Sequence, residues 1–385
     1  MANKGTGIFK YLHGDKGIWT IMMILSFVSM AAVYSSTGRL AYLKHGGDTS
    51  YYMIKHLVIL SGAWAIMYGV HKIRYIYFAR ISLFMLWPVL GLLAVTLSMA
   101  TVNDASRWIM LGPISFQPSE LAKLVLVVFL ARQLAKYQPV IKEKRTLLRL
   151  LWAPLLTAAL IFPENLSTSM LLLVTCFVMM VTGGVAGRYV WSMVGAGVLF
   201  IALFLAILHF VPSENLPGRF STWKARIERF GDPGEESYQV TQSKIAIAGG
   251  GVFGKGPGNS TQRNFLPHPY SDYIYSLIIE EYGMFAGLGI LLLYLWFIRR
   301  GIRVARHCKG SFGSYMVLGI TFMFTLQALI NMGVAVDLLP VTGQPLPFLS
   351  MGGTSLFFTA CGMGMVLSVS AEVEKEQQGE SVEKQ

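Results

Sequence analysis

A peptide segment in hydrocarbon must satisfy its own backbone hydrogen bonds, so long apolar segments cross a membrane only as helices or within a closed barrel. This chain is built from such segments, and their length is helical. Apolar runs occupy residues 18–36, 52–70, 77–99, 118–134, 147–162, 166–184, 190–211, 273–298, 313–335 and 350–370. A spanning helix takes roughly 17–25 residues. The fifth run is marginal by that measure. The pair around "FPENLST" could form one broken segment, although the charge pattern prefers two. Charged residues make up 14% of the chain, against about 25% in ordinary soluble domains. The fold class expected is an all-α polytopic membrane protein of about ten transmembrane helices, with a long extracytoplasmic loop, residues 212–272, between the seventh and the eighth.

Lysine and arginine set the orientation. With the N-terminus cytoplasmic, the inside segments hold 19 basic residues, among them Lys72, Arg74, Lys142, Lys144, Arg145, Arg299, Arg300 and Arg303; the short outside loops hold 3, Arg39, Lys44 and Arg107. Both termini are then cytoplasmic. The expected layout is a cytoplasmic N-terminus (1–17), a membrane domain (18–370) and a charged cytoplasmic tail (371–385). The N-terminal stretch shows no small-residue cleavage site, so the first apolar run reads as an uncleaved anchor. The net charge of +12 lies in short loops rather than on a soluble patch, which excludes nucleic-acid binding. Cys176, Cys308 and Cys361 form neither a disulfide framework nor a metal-ligand spacing.

Within the long outer loop, "RFSTWKARIERF" places Phe220, Trp223, Ile227 and Phe230 on one helical stripe, backed by Arg219, Lys224, Arg226 and Arg229. Such a helix is expected to lie in the membrane interface, its basic face toward lipid headgroups or a phosphate. "GGGVFGKGPG" has the glycine and lysine spacing of a P-loop but follows it with Gly256 instead of Ser or Thr. Its glycines are read instead as a tight turn or a close backbone approach.

Few acids touch the apolar runs: Glu120, Asp272, Glu280, Glu281 and, at a margin, Asp337. An ionisable group in a span costs ~2.5–3.5 kcal/mol on insertion scales and points to function. Asp272 stands where "LPHPYSD" gives way to an apolar segment, so it could cap that helix, do chemistry, or both. Glu280 and Glu281 lie roughly 12–14 Å deeper along a helix and read as buried partners for a basic or amide group. Glu120 and Lys123, three residues apart, share a helical face near the outer end of the fourth run. That allows, without establishing, an Asp–Lys–Glu cluster at the outer lip.

The stretches "RWIMLGPISFQPSELAK", "YQVTQSKIAIAGGGVFGKGPGNSTQ", "LPHPYSDYIYSLIIEEYG", "QALINMGV" and "LLPVTGQPLPFLSMGGTS" together resemble the SEDS family of polytopic peptidoglycan glycosyltransferases (FtsW, RodA and SpoVE), over about residues 18–370. In wording they lie closer to the divisional FtsW members than to the elongation RodA members. The resemblance implies ten helices, a large outer loop and an essential aspartate at its end, here Asp272. It implies polymerisation of lipid II, a disaccharide on undecaprenyl pyrophosphate, into glycan strands. An acceptor sugar hydroxyl must lose a proton as it attacks the anomeric carbon, and a carboxylate can take it. Asp272 is the expected base, with Glu120 and Lys123 positioning it and Arg107 and Arg219 as phosphate contacts. Gln242, Ser243 and Gln262, in the family's outer-loop motifs, are expected at the substrate. No cofactor is certain; a divalent cation, Mg or Mn, at Asp272 is an open second role. The partners implied are a class B penicillin-binding protein as transpeptidase, divisome proteins and membrane lipids. The location implied is the bacterial inner membrane at the division septum. Asn165 replaces the family's aspartate in "ENLST", Ser167 a glycine, Met351 a tyrosine and Thr354 a serine. Alternative readings are a lipid II flippase, an elongation-type polymerase, or a scaffold that recruits the transpeptidase.

Overall fold

The computed structural model describes residues 12–38, 40, 42, 49–100, 109–111, 114–212, 216, 219–231, 238–267 and 269–383. Each of the ten apolar runs carries a helix. In chain order these are α1 (Lys16–Ser36), α2 (Thr49–Lys72), α3 (Ile76–Ala100), α4 (Pro118–Tyr137), α5 (Lys144–Ile161), α6 (Leu166–Thr182) and α7 (Gly187–Phe210), then α10 (Ile274–His307), α11 (Ser311–Ala335) and α12 (Gly353–Glu383). Two shorter helices, α8 (Phe220–Gly231) and α9 (Tyr238–Gly250), lie in the long loop, and a hairpin of β1 (Ile109–Leu111) and β2 (Ile114–Phe116) precedes α4. By length and composition seven of the described helices, α1, α2, α3, α7, α10, α11 and α12, can cross a membrane. The remaining three runs are α6, which has 17 residues, and α4 and α5, which carry several charges each.

The chain divides into two compact units, Met1–Phe78 with Tyr238–Gln385, and Ala79–Ser237. In the first, α12 packs on α2 and α11, and α10 packs on α1, α9 and α11. Asp15 caps α1 by accepting from the Ile18 amide at 3.0 Å and also takes Arg300 Nε at 2.8 Å. In the second, α4, α5 and α6 pack together, and "FPENLST" forms the turn between two separate helices. Asn165 caps α6, accepting from the Thr168 amide at 3.1 Å. Asparagine caps a helix about as well as aspartate, so the replaced acid costs the fold nothing here.

Helix α8 departs from the interfacial expectation. Trp223 is buried with Phe204, Leu208 and Leu216, and Phe162, Phe220 and Ile227 pack around that cluster. The apolar stripe is thus covered by protein. Phe230's side chain lies outside the described residues.

α10 is broken at Gly283, whose φ is 81° and ψ 178°. The break strips helical partners from its flanking backbone, which in a membrane must be replaced. The glycine loop after α9 replaces them. Lys255 and Gly256 donate to the Glu280 and Glu281 carbonyls at 2.9 Å each, and the Met284 amide donates to Gly251 at 3.0 Å. A Cβ on Gly283 would stand 2.2 Å from the Val252 oxygen, and one on Gly254 2.2 Å from the Glu281 oxygen. The close approach expected of the "GGGVFGKGPG" glycines is therefore present. Below the break, the fully buried Glu280 accepts from Lys255 Nζ at 2.7 Å, Thr261 Oγ1 at 2.8 Å, the Thr261 amide at 3.1 Å and Ser260. Glu281 accepts from Ser35 of α1. Glu280 thus has the basic and amide partners expected of it, whereas the partner of Glu281 is a hydroxyl.

Candidate functional site

Pro267 and Pro269 keep "LPHPYSD" out of helix, and α10 begins only at Ile274. Its N-cap is Tyr273, with no side-chain cap. Asp272 is therefore not the helix cap. It sits in the preceding turn, half-buried, and its Oδ1 accepts from Ser271 Oγ at 2.8 Å. The neighbouring Tyr270 phenol is pushed up in pKa by burial, then by the charges of Tyr52 and Asp272, so it stays protonated near neutrality.

The turn is held by its backbone. Asn331 of α11 donates through Nδ2 to the Asp272 carbonyl at 2.8 Å and to the Gln344 carbonyl at 2.8 Å. Ser350 Oγ donates to the Ser271 carbonyl at 2.6 Å and accepts from the Leu346 amide at 2.8 Å. The Met351 amide reaches the Tyr270 carbonyl at 2.9 Å. These contacts clamp Asp272 to residues 340–352, a non-helical stretch between α11 and α12. That stretch contains Pro340, Pro345 and Pro347, which have no N–H and cannot continue a helix. Its carbonyls are satisfied by helix side chains: Pro345 by Gln327 Nε2 at 2.8 Å, and Pro347 by the Tyr294 hydroxyl. Gly343 lies beside the second carboxylate oxygen, where a Cβ would stand 3.6 Å from Oδ2. The result is a carboxylate on a fixed backbone with one edge beside a residue that has no side chain.

The other expected site residues are distributed as follows. Glu120 and Lys123 belong to the other unit, paired at 2.8 Å with side chains 7% and 1% exposed. Arg219, also there, donates from Nη1 to the Glu164 carbonyl at 3.1 Å. Arg107 lies outside the described residues. Gln242 is half-buried on α9. Ser243 is fully buried, with its hydroxyl 2.6 Å from both Ser276 Oγ and the Ala335 carbonyl, tying α9 to α10 and α11. The Gln262 amide donates to the Glu280 carboxylate, at 3.3 Å to Oε2. The clamp residues Asn331, Gln344 and Ser350 carried no assignment from sequence. "QALINMGV" and "GQPLPFLS" were visible as motifs, but their role is exerted through backbone atoms.

Among the described residues no three His, Cys, Asp or Glu side chains gather as a metal cage. A divalent ion at Asp272 would take one carboxylate and complete its shell with water and substrate oxygens, a mode that Mg²⁺ favours.

A family model described as "Cell cycle protein", spanning FtsW, RodA and SpoVE, matches residues 15–375. The chain belongs to the FtsW/RodA/SpoVE family. It is 32% identical to stage V sporulation protein E of Bacillus subtilis, over 91% of this chain and 95% of that one. It is 30% identical to the probable peptidoglycan glycosyltransferase FtsW of Coxiella burnetii, over 92% and 96%. It is 32% identical to the peptidoglycan glycosyltransferase MrdB of Escherichia coli, over 73% and 75%. In fold it is similar to a chain of a peptidoglycan synthase complex that coordinates polymerization and crosslinking, with a TM-score of 0.73 at 24% identity, over 94% of this chain and 98% of that one. It is likewise similar to the crystal structure of the rod shape determining protein RodA of Thermus thermophilus, with a TM-score of 0.65 at 23% identity, over 93% and 96%. This FtsW/RodA/SpoVE member is an integral membrane protein, and its enzyme class is glycosyl transfer.

Proposed function

We propose that this FtsW/RodA/SpoVE member polymerises lipid II into glycan strands at the outer face of the bacterial cytoplasmic membrane, at the division septum, with Asp272 as general base. The observation that carries the reading is the clamp: a half-buried carboxylate, not used as a helix cap, on a turn fixed by Asn331 and Ser350. A base must be held within hydrogen-bond reach of the proton it removes, so rigidity of the turn is itself useful. Asp272 takes the proton of the acceptor hydroxyl as that oxygen bonds to the anomeric carbon and the lipid pyrophosphate leaves. The leaving charge needs cations, for which Arg219 and Arg107 are proposed. A divalent ion shared by Asp272 and the pyrophosphate is a proposed second role. The proposed partners are a class B penicillin-binding protein and divisome proteins. Among the described residues the break at Gly283 is closed by the glycine loop and Glu280 is paired, which speaks against a midplane transport site.

The test is polymer formation from purified lipid II, with and without the transpeptidase. Asp272→Asn keeps the shape but removes the basic oxygen, and the rate should fall by ~10²–10⁴-fold. The variant should keep its thermal stability and its co-purification with the partner, since no cap is lost. A stable, complexed Asp272→Asn protein polymerising near the wild-type rate would falsify the reading. Depletion in cells separates the roles: filaments indicate septal synthesis, rounded cells elongation.

A further inference from the structure

The proline-rich stretch that clamps Asp272 is also held from α1 and α2, by a chain of residues that the reaction above does not use. Ser29 of α1 is fully buried and donates its hydroxyl to the Leu349 carbonyl at 2.7 Å. His56 of α2, 1% exposed, brings Nε2 to within 2.8 Å of the same hydroxyl oxygen. A serine hydroxyl has one proton. A carbonyl can only accept, so that proton is committed to Leu349 and Ser29 must accept from His56. Nε2 therefore carries a hydrogen. The other nitrogen, Nδ1, is buried and has no hydrogen-bond partner among the described residues. A second N–H there would be stranded, so the ring is the neutral Nε2–H tautomer.

This direction matters because a hydroxyl rotates freely until something fixes it. Asn331 and Gln327 grip the stretch with planar amides. Ser29 grips it with a rotor that His56 sets. Leu349 adjoins Ser350, whose own hydroxyl holds the Ser271 carbonyl, one residue before Asp272. A continuous path thus runs from His56 through Ser29, Leu349, Ser350 and Ser271 to the acid.

We propose that His56, acting through Ser29, is a positioning residue for the transfer step. The inference rests on Asp272 being the base. His56 does not touch substrate; it keeps the clamp in register so that the carboxylate meets the acceptor hydroxyl. Displacing a reacting group by about 1 Å can cost as much as 10²-fold in rate, so loss of the relay should show in kcat rather than KM.

The experiment measures kcat and KM for lipid II polymerisation by the full-length protein with its partner, together with thermal stability. Glutamine can place a side-chain N–H near the position of Nε2, whereas leucine has none and asparagine is too short. His56→Gln should stay within about threefold of wild type, and His56→Asn, His56→Leu and Ser29→Ala should each lose roughly 10- to 100-fold in kcat at little-changed KM. Trp64→Phe is the control. It removes another α1–α2 link, Trp64 Nε1 to Ser26 at 2.9 Å, that does not reach the clamp. It should lower stability and leave kcat alone. Wild-type kcat in His56→Leu overturns the proposal, as does an equal loss in His56→Gln and His56→Asn. Should the leucine variant fail to fold, the glutamine–asparagine comparison decides. An active Asp272→Asn beside an impaired His56→Asn would refute the base, and with it the relay's role in placing that carboxylate; an inactive Asp272→Asn beside a normal His56→Asn would refute the relay alone.

Discussion

Glu164 shows how one half-buried residue can set a measurable property. Beside the cap Asn165, it carries the acid of the turn between α5 and α6, and its Oε1 is buried with no hydrogen-bond partner among the described residues. Burial pushes its carboxyl up from 4.5 to about 7. An acid that the fold keeps protonated binds more protons folded than unfolded. Its contribution to stability therefore falls as pH rises from 4.5 toward 7, and levels off above. Glu164→Gln removes that slope. In detergent the variant should melt above wild type at pH 8, with the gap closing at pH 4. A gap of equal size at both would show that the carboxyl is solvated. At this scale the sequence revealed Asp272, because an acid at the edge of an apolar run stands out. It did not reveal Asn331 or Ser350. Both act on backbone carbonyls, 59 and 79 residues away along the chain, and such contacts leave no local spacing to find.

At the scale of elements, apolar length located the ten long helices, while the features that shape them lay in close backbone contacts. "YSLIIEEYGMFAGLGILLLYLW" reads as one helix, since separated glycines such as Gly283, Gly287 and Gly289 are tolerated inside a helical pattern. The break at Gly283 is imposed by the glycine loop packed against it, a tertiary cause. The stripe of α8 was legible as amphipathic, but amphipathicity alone does not say whether lipid or protein covers the apolar face. Helix α9 carries only a weak helical stripe and was not anticipated. Gly283→Ala tests the loop contact. The new Cβ would meet the Val252 oxygen at 2.2 Å, from a backbone at φ 81°, so the variant should lose roughly 3 kcal/mol or more of stability, or fail to accumulate. Gly289→Ala, in the same helix with open space at its Cβ, should be neutral or stabilising by about 1 kcal/mol. Similar melting temperatures for the two variants would mean that the glycine loop does not dock there.

For the whole molecule the decisive quantity is the number of crossings, because it fixes which side of the membrane holds Asp272. If only the seven helices that meet the length and composition criteria crossed, α4, α5 and α6 would stay on one side. The termini would then lie on opposite sides, and residues 212–272 would share the N-terminal side. Basic residues decide against this. Seven crossings would place Lys142, Lys144, Arg145, Arg188, Arg303, Arg306 and Lys309 outside, whereas ten crossings place them all inside. The charges that weaken the apolar character of α4 are also partly neutralised, since Glu120 and Lys123 pair at 2.8 Å and are buried. A paired charge is far cheaper in a membrane than a lone one. We therefore expect ten crossings, both termini cytoplasmic and Asp272 external. The check uses single-cysteine variants, with Cys176, Cys308 and Cys361 replaced, and a membrane-impermeant maleimide on intact cells. Glu228→Cys and Asn264→Cys should label, while Glu143→Cys and Lys309→Cys should label only after permeabilisation. All four positions are exposed, so accessibility of the side chain does not limit the reaction. Seven crossings invert every one of these outcomes, and label on Lys309→Cys in intact cells would by itself put Asp272 on the cytoplasmic side.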